Sequence, residues 1–244
     1  MKPEADITIL PTIDSTNIYA MQQVHAHMAK DGQVYFALEQ TAGRGQRGKQ
    51  WLSAPGTNIM MSMVFDVDGL PHERQFTFNM AMALACYDYY KSVAGDEVSV
   101  KWPNDIYWRD RKAGGILVEN LIQSGMWTWS IVGIGLNINQ TRFDPSISRK
   151  PVSLKQITGR DIDLMEALNA LAVQLRYRWD ELRRSPLGIL EAYEAVLYKK
   201  GEKVKFKKDN RVFEAIVQGV DAYGRLRVES NIEELFAHGE IEWL

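Results

Sequence analysis

Val34-Tyr35-Phe36-Ala37-Leu38-Glu39-Gln40, followed after Thr41 and Ala42 by Gly43-Arg44-Gly45-Gln46-Arg47-Gly48-Lys49-Gln50-Trp51, is the stretch on which the fold turns. A strand-like run feeds a short loop that holds three glycines and three cations. Glycines let backbone N–H groups face an anion without Cβ obstruction, and the flanking Arg and Lys neutralise its charge. Two phosphate-loop patterns fit the letters at once. Gly43, Gly45 and Gly48 spell G-x-G-x-x-G, and Gly43 to Lys49 spell G-x-x-x-x-G-K. Both fail on context. A dinucleotide fingerprint must open a crossover helix, yet the chain passes Pro55 and Gly56 into a second strand-like run at 57–65, leaving less room than the roughly dozen residues a crossover needs. A Walker loop needs Ser or Thr after Lys49, and position 50 is Gln. The doubly wound parallel sheet is thereby set aside. What remains is an anion-gripping loop between two neighbouring strands, capped by Trp51.

Working outward, Asp14 to Asn17 offers capping side chains, and Ile18, Met21, Val24 and Met28 share one helical face, so helix is expected over 15–29. After the strands at 33–39 and 57–65, a stripe of Phe76, Met80, Leu84, Tyr87 and Tyr90 predicts a helix over 73–93. Strands are expected at 98–102, 114–121 and 127–135. Residues 141–160, with Pro145, Pro151 and Gly159, read as loop. Leu164, Leu168, Leu171, Leu175, Trp179 and Leu182 mark a long amphipathic helix ending near Pro186, and a shorter helix spans 187–198. From Lys199 the texture changes to short alternating strands separated by turns at 208–210 and 221–224, the pattern of a small β-barrel. The expected architecture is α+β: a mixed, largely antiparallel sheet with packed helices over 1–198, and a C-terminal barrel over 199–244.

Composition narrows the function classes. At 244 residues the chain can bury a sizeable core. Its 29 Lys and Arg against 31 Asp and Glu give no overall positive field for nucleic acid or an anionic membrane. The single Cys86 has no disulfide partner, which suits a reducing compartment. Met1 to Leu10 carries Lys2, Glu4 and Asp6 without an apolar core for a signal peptide, so a cytoplasmic protein is expected. The alternating lysines from 199 to 208 read as a solvated strand face.

Four clusters carry chemistry, each beside a structural alternative. Ser15-Thr16-Asn17 has the composition of a helix cap. Lys101-Trp102-Pro103-Asn104-Asp105 also suits a strand ending in a turn. Lys112-Ala113-Gly114-Gly115-Ile116-Leu117-Val118-Glu119 places paired glycines inside a strand, where glycine weakens pairing and often marks close approach of a ligand. Gly133-Ile134-Gly135-Leu136-Asn137 repeats that feature and ends in an amide suited to an adenine edge or sugar hydroxyl. Histidines 25, 27, 72 and 238 show no triad or metal spacing.

Taken in order, these segments resemble the biotin protein ligases, whose motifs G-R-G-R-x-G-R-x-W, K-W-P-N-D, K-x-x-G-I-L-x-E and G-x-G-x-N recur here between Gly43 and Asn137. The resemblance runs from about Ser15 through Asn137 and continues more weakly, through a Gly-Glu-Ile ending at 239–241, to Trp243. Gln46 and Lys49 depart from the frequent arginines; Gln46 removes one cation, and Lys49 lacks the bidentate fork. The resemblance implies the class II aminoacyl-tRNA synthetase-like fold of the biotin and lipoate ligases. It also implies ATP-dependent activation of biotin to biotinyl-5′-AMP with Mg²⁺, then transfer to a lysine of a biotin carboxyl carrier domain. Lys112 and Arg44 are the catalytic candidates by resemblance and by chemistry, and Asp105 joins them as an acceptor to deprotonate the carrier lysine. Ser15, Thr16, Asn17, Gln40, Gly43, Arg44, Lys112, Gly115, Gly133 and Gly135 are assigned to biotin. Arg47, Lys49, Trp51, Lys101, Asn104, Asp105 and Asn137 are assigned to the nucleotide. No residue is assigned as a metal ligand.

Three rivals stand beside this reading. A lipoate ligase shares fold and reaction. Some biotin ligases are also DNA-binding repressors with an N-terminal winged helix, but fourteen residues before Ser15 fall short of the roughly 60 that a small domain takes. A binding-only module would not need Lys112 or the cationic loop. No specific DNA partner and no membrane are expected, and the chain is expected to be a monomer or weak homodimer.

Overall fold

In the computed structural model, which describes residues 6–145, 147 and 150–244, the chain opens with a strand that its sequence pattern hides, β1 (Ile7–Ile13), followed by α1 (Thr16–His25). Lys2 and Glu4, and positions 146, 148 and 149 of the expected loop, lie outside the described residues. β1 contains Pro11, which a strand tolerates at a sheet edge, and β1 is the edge: it pairs only with β2 (Val34–Gln40), in parallel. α1 stops at His25, short of the expected 29, because His27 takes a left-handed φ of 56°.

The other elements of the large sheet follow in chain order. They are β3 (Ile59–Asp66), α2 (Gln75–Ala94), β4 (Val98–Lys101), β5 (Asp105–Trp108), β6 (Arg111–Gln123) and β7 (Met126–Leu136). β2 and β3 pair antiparallel, with Val34 opposite Met63, so the glycine loop connects neighbours, as its short span requires. The sheet order is β1-β2-β3-β7-β6-β5-β4, and every pair after the first is antiparallel. α3 (Leu154–Thr158) lies inside the expected loop, started by a capping box from Ser153 and Gln156 and ended by Gly159 at φ 75°. α4 (Leu164–Arg184) and α5 (Pro186–Ala195) complete this part.

Strand periodicity sends alternate residues to opposite layers. From β3, Ile59, Met61, Met63 and Phe65 join the main core, whereas Val64 joins Ala20, Val24, Tyr35 and Ile131 beneath α1. α2 is buried almost all round because it lies centrally, packed against α4 and α5. Phe78 anchors the layer by edge contacts to Phe65, Trp127 and Trp179 at 5.5–5.6 Å; its truncation to Ala would cost about 3–5 kcal/mol.

The C-terminal strands β8 (Lys203–Lys208), β9 (Arg211–Val220), β10 (Leu226–Glu229), β11 (Glu233–Phe236) and β12 (Glu242–Trp243) form an antiparallel sheet ordered β11-β10-β9-β8-β12. The expected barrel is not closed. β11 has four residues and β12 only two, so the two edge strands do not pair with each other. In β8, Val204 and Phe206 are buried while Lys203, Lys205 and Lys207 face solvent, as the alternation indicates. This sheet is tied to the rest by Trp102 Nε1 donating to Gly224 O at 2.9 Å, and by Val220 N–H donating to Glu194 at 2.9 Å. Among the described residues no helix is long and apolar enough to cross a membrane.

Candidate active site

The loop after β2 is a small folded hairpin. Trp51 N donates to Gly43 O at 2.9 Å, Gly45 N to Lys49 O at 2.6 Å, and a 3-10 turn at 46–48 is completed by Arg47 at φ 57°. Gly43 is required at the base, because a Cβ there would fall 2.5 Å from Trp51 O. The hairpin lays Trp51 across β7 at Gly135, where a side chain would strike the indole. The Trp51 Nε1 and Gln46 Oε1 atoms are buried and have no hydrogen-bond partner among the described residues. Arg47, at the tip, donates to Gly239 O, in the turn that follows the strand ending at Phe236, at 3.3 Å.

Behind the loop, α1 presents its first residues to the sheet. Ser15 makes no side-chain cap, so the capping alternative does not account for this cluster; Ser15, Thr16 and Asn17 are instead buried polar residues. Gln40 Oε1 accepts from Thr16 N at 2.7 Å and lies 3.1 Å from Thr16 Oγ1. The Ser62 hydroxyl lies 2.7 Å from Thr16 Oγ1 and 2.5 Å from Asn17 Oδ1. Asn17 is seated directly over Gly133, where a Cβ would collide with its amide.

The third wall comes from β5 and β6. Lys112 Nζ lies 2.6 Å from Asp105 Oδ1, with side-chain exposures of 23% and 10%. Gly115 makes room for this pair, since a Cβ there would sit 3.3 Å from Asp105 Oδ1 and 3.4 Å from Lys112 Nζ. The Lys112 ammonium is also 5.8 Å from the Trp51 ring centroid. Asn104 Nδ2 donates to Ile116 O, and Asn137 Nδ2 reaches Lys112 O at 3.4 Å, so both amides brace the strand that carries Lys112.

These walls enclose a cavity of about 790 Å³. It gathers Ser15, Thr16, Asn17, Gln40, Arg44, Arg47, Lys49, Trp51, Asn104, Asp105, Lys112, Gly115, Gly133, Gly135 and Asn137. Two sequence candidates fall elsewhere. Gly43 supports the hairpin and lines a smaller neighbouring cavity of about 230 Å³. Lys101 does not line the large cavity, because its ammonium is held 4.9–5.3 Å from the ring centroids of Tyr107, Tyr198 and Trp243. Among the contributions that the sequence did not indicate are Phe143, Ile147 and Pro151, from the segment expected to be loop, and two more. Ser62 joins the polar cluster, and residues 238–243, the turn before β12 and β12 itself, line the cavity. Glu119 pairs with Arg44 Nη1 at 3.0 Å; it stands inside a recognised motif without an assigned role.

The family model described as Biotin/lipoate A/B protein ligase family matches residues 9–137, and that of the biotin protein ligase C terminal domain matches 201–242. The bifunctional ligase/repressor BirA of Escherichia coli is 29% identical over 92% of this chain and 70% of its own length. Its Bacillus subtilis counterpart is 30% identical over 83% of this chain, which spans 63% of that protein. The biotin–[acetyl-CoA-carboxylase] ligase of Paracoccus denitrificans is 30% identical, with 89% of this chain and 92% of that protein covered. A biotin protein ligase from Aquifex aeolicus, solved in complex with biotin and ATP, has the same fold, with a TM-score of 0.81 at 23% identity over 98% of both chains. The family matches and these relatives define the class: a protein ligase with a mixed sheet and a C-terminal β module. The chain belongs to the biotin/lipoate A/B protein ligase family.

Proposed function

We propose that this chain joins biotin to ATP as biotinyl-5′-AMP with release of pyrophosphate, then passes the biotinyl group to one lysine of a biotin carboxyl carrier domain. The observation that carries this is the single cavity in which the buried polar cluster at 15–17, the glycine loop, Lys112 and Trp51 converge. In the first step a biotin carboxylate oxygen bonds to the α-phosphorus and the bond to the β-phosphate oxygen breaks. Bringing those two anions together costs about 4 kcal/mol per charge pair at an effective dielectric of 20. Lys112 and Arg44 offset that repulsion from two sides. The cluster Ser15-Thr16-Asn17 with Gln40 takes the polar head of biotin over Gly133, and Trp51 covers the adenine. Asn104, Asp105 and Asn137, with Arg47 and Lys49 at the loop, make up the nucleotide side.

The residues fit Mg²⁺ only as a phosphate-borne ion. No group of three or more His, Cys, Asp or Glu among the described residues is able to cage a metal, and Mg²⁺ commonly sits on substrate phosphates with one or two carboxylates. It would supply charge neutralisation at the leaving pyrophosphate. In the second step the carrier amine bonds to the acyl carbon, AMP leaves, and a proton is lost. Asp105, held beside Lys112, is assigned to accept it. Closing the loop keeps water from the mixed anhydride. Residues 1–198 act as the catalytic domain and 199–244 as a small C-terminal domain that completes the cavity wall. The working form is a cytoplasmic monomer or weak homodimer.

Exchange of labelled pyrophosphate into ATP, run with biotin, lipoate or neither, tests this. Exchange that requires biotin supports the reading. Equal exchange with lipoate would reassign the acyl acid, and no exchange from folded protein would reduce the chain to a binding module.

A further inference from the structure

Strand β6 sends residues 115, 117 and 119 to one face, opposite Gly135, Gly133 and Ile131 of β7. Along that face the first position underlies the Lys112–Asp105 pair and the second lines the cavity. The third, Glu119, stands about 13 Å from the first at strand spacing. Its carboxylate touches both the loop and α1. Oε1 lies 3.0 Å and Oε2 3.3 Å from Arg44 Nη1 of the loop. Oε2 also accepts from Asn17 Nδ2 at 2.8 Å.

An exposed ion pair alone contributes about 0–1 kcal/mol, and Arg44 is half exposed. Glu119 differs because its second partner is a buried amide. Asn17 is only 3% exposed and fixed on its other side by the Ser62 hydroxyl. If the carboxylate followed a moving Arg44, Asn17 Nδ2 would keep only a 3.3 Å contact to Leu117 O and would lose its shorter hydrogen bond inside a buried site. Asn17 therefore fixes the carboxylate, and the carboxylate fixes the side chain at the base of the loop.

We infer that Glu119 is a positioning residue that ties the biotin-head cluster to the anion loop, so that filling the cluster and ordering the loop are one event. This rests on the reading of the cavity as a biotin site. The carboxylate need not touch substrate. It transmits the occupancy of Asn17 to Arg44.

The test uses the full chain with Glu119→Gln and Glu119→Asp. Gln keeps an acceptor for Asn17 but removes the charge facing Arg44; Asp keeps the charge but is one methylene too short to hold both partners. Wild type should show trypsin cleavage within 43–50 that slows on adding biotin. In both variants the KM for biotin in pyrophosphate exchange should rise about tenfold, the size of a modest coupling between contacting residues. The kcat should stay within about threefold, and biotin should no longer slow loop cleavage. Adding Arg44→Met to Glu119→Gln should raise the KM less than the two single effects combined. A wild type that exchanges with biotin, beside variants with unchanged KM and full loop protection, would reduce Glu119 to a surface ion pair and leave the proposed function standing. A wild type inert with biotin would instead overturn the function. Should the Gln variant lose its fold, the Asp variant decides alone.

Discussion

Replacing Lys112 by Met removes the ammonium 2.6 Å from Asp105 Oδ1 while keeping most of the side-chain volume. Two separable losses follow. Catalysis loses a cation placed against the carboxylate–phosphate contact. A repulsion of about 4 kcal/mol per charge pair stands to be offset there, and removing one preorganised electrostatic partner commonly costs a hundredfold to a thousandfold in rate. We expect biotin-dependent pyrophosphate exchange to fall about a hundredfold. Folding loses as well. The carboxylate of Asp105 is 10% exposed, and removing its charged neighbour should cost about 2 kcal/mol, or roughly 4–8 °C in thermal midpoint for a chain of this size. The double variant Lys112→Met, Asp105→Asn separates the two losses, because it removes both charges together. It should regain most of the midpoint while exchange stays low. Exchange by folded Lys112→Met within threefold of wild type would remove Lys112 from the catalytic residues. Recovery of exchange in the double variant would mean that Lys112 serves only to neutralise Asp105.

Gly135→Ala would place a methyl 2.7–2.8 Å from Cζ2 and Nε1 of Trp51; the displaced indole should raise the KM for ATP about tenfold with little change in biotin affinity, and an unchanged KM for ATP would separate Trp51 from the nucleotide. Gly239 sits at φ 93°, with an added Cβ 2.8 Å from the Arg47 guanidinium, so Gly239→Ala should speed trypsin cleavage within 43–50 about tenfold; equal cleavage rates would show that this contact does not hold the loop. Burial opposes ionisation of Glu194, but the Val220 N–H, Lys200 and Arg227 together hold its carboxyl below the usual range. Its stabilising contribution is therefore complete above the unfolded carboxyl range and is lost as pH falls through the lower folded value. Glu194→Gln should flatten the fall of the thermal midpoint between about pH 5 and 3, and an unaltered slope would assign the acid sensitivity elsewhere.

α4 appears close to its expected bounds because its apolar stripe states the helical period, and α2 because a run apolar almost all round is long enough to mark a buried helix. β1 escaped notice since Pro11 and weak alternation conceal a strand whose parallel pairing with β2 supplies its order. β5 lay hidden behind turn-forming Asn104, and only its place between β4 and β6 identifies it. Within the site, the sequence indicated that glycines 115, 133 and 135 needed a reason. The reasons are specific neighbours: Lys112 with Asp105, Asn17, and Trp51. Glu119 was visible as a letter of a motif, but its partner Arg44 lies 75 residues away and no local pattern joins them. Lys101 shows the converse. Its motif pointed to nucleotide, while its ammonium faces three aromatic rings, one of them on the last strand.

The contact between Arg47 and Gly239 spans 192 residues. A loop at positions 43–50 thus receives its anchor from a residue made long after it. Because domains generally fold in order as they leave the ribosome, the large sheet and its helices can assemble while this hairpin still has nothing to hold its tip. Such a distant pairing is also among the slower ones to form. A newly made molecule would pass through a stage in which the cavity has its floor and two walls but no fastened cover, and only once the turn at Gly239 has been made and packed would it be fitted to retain a reactive intermediate.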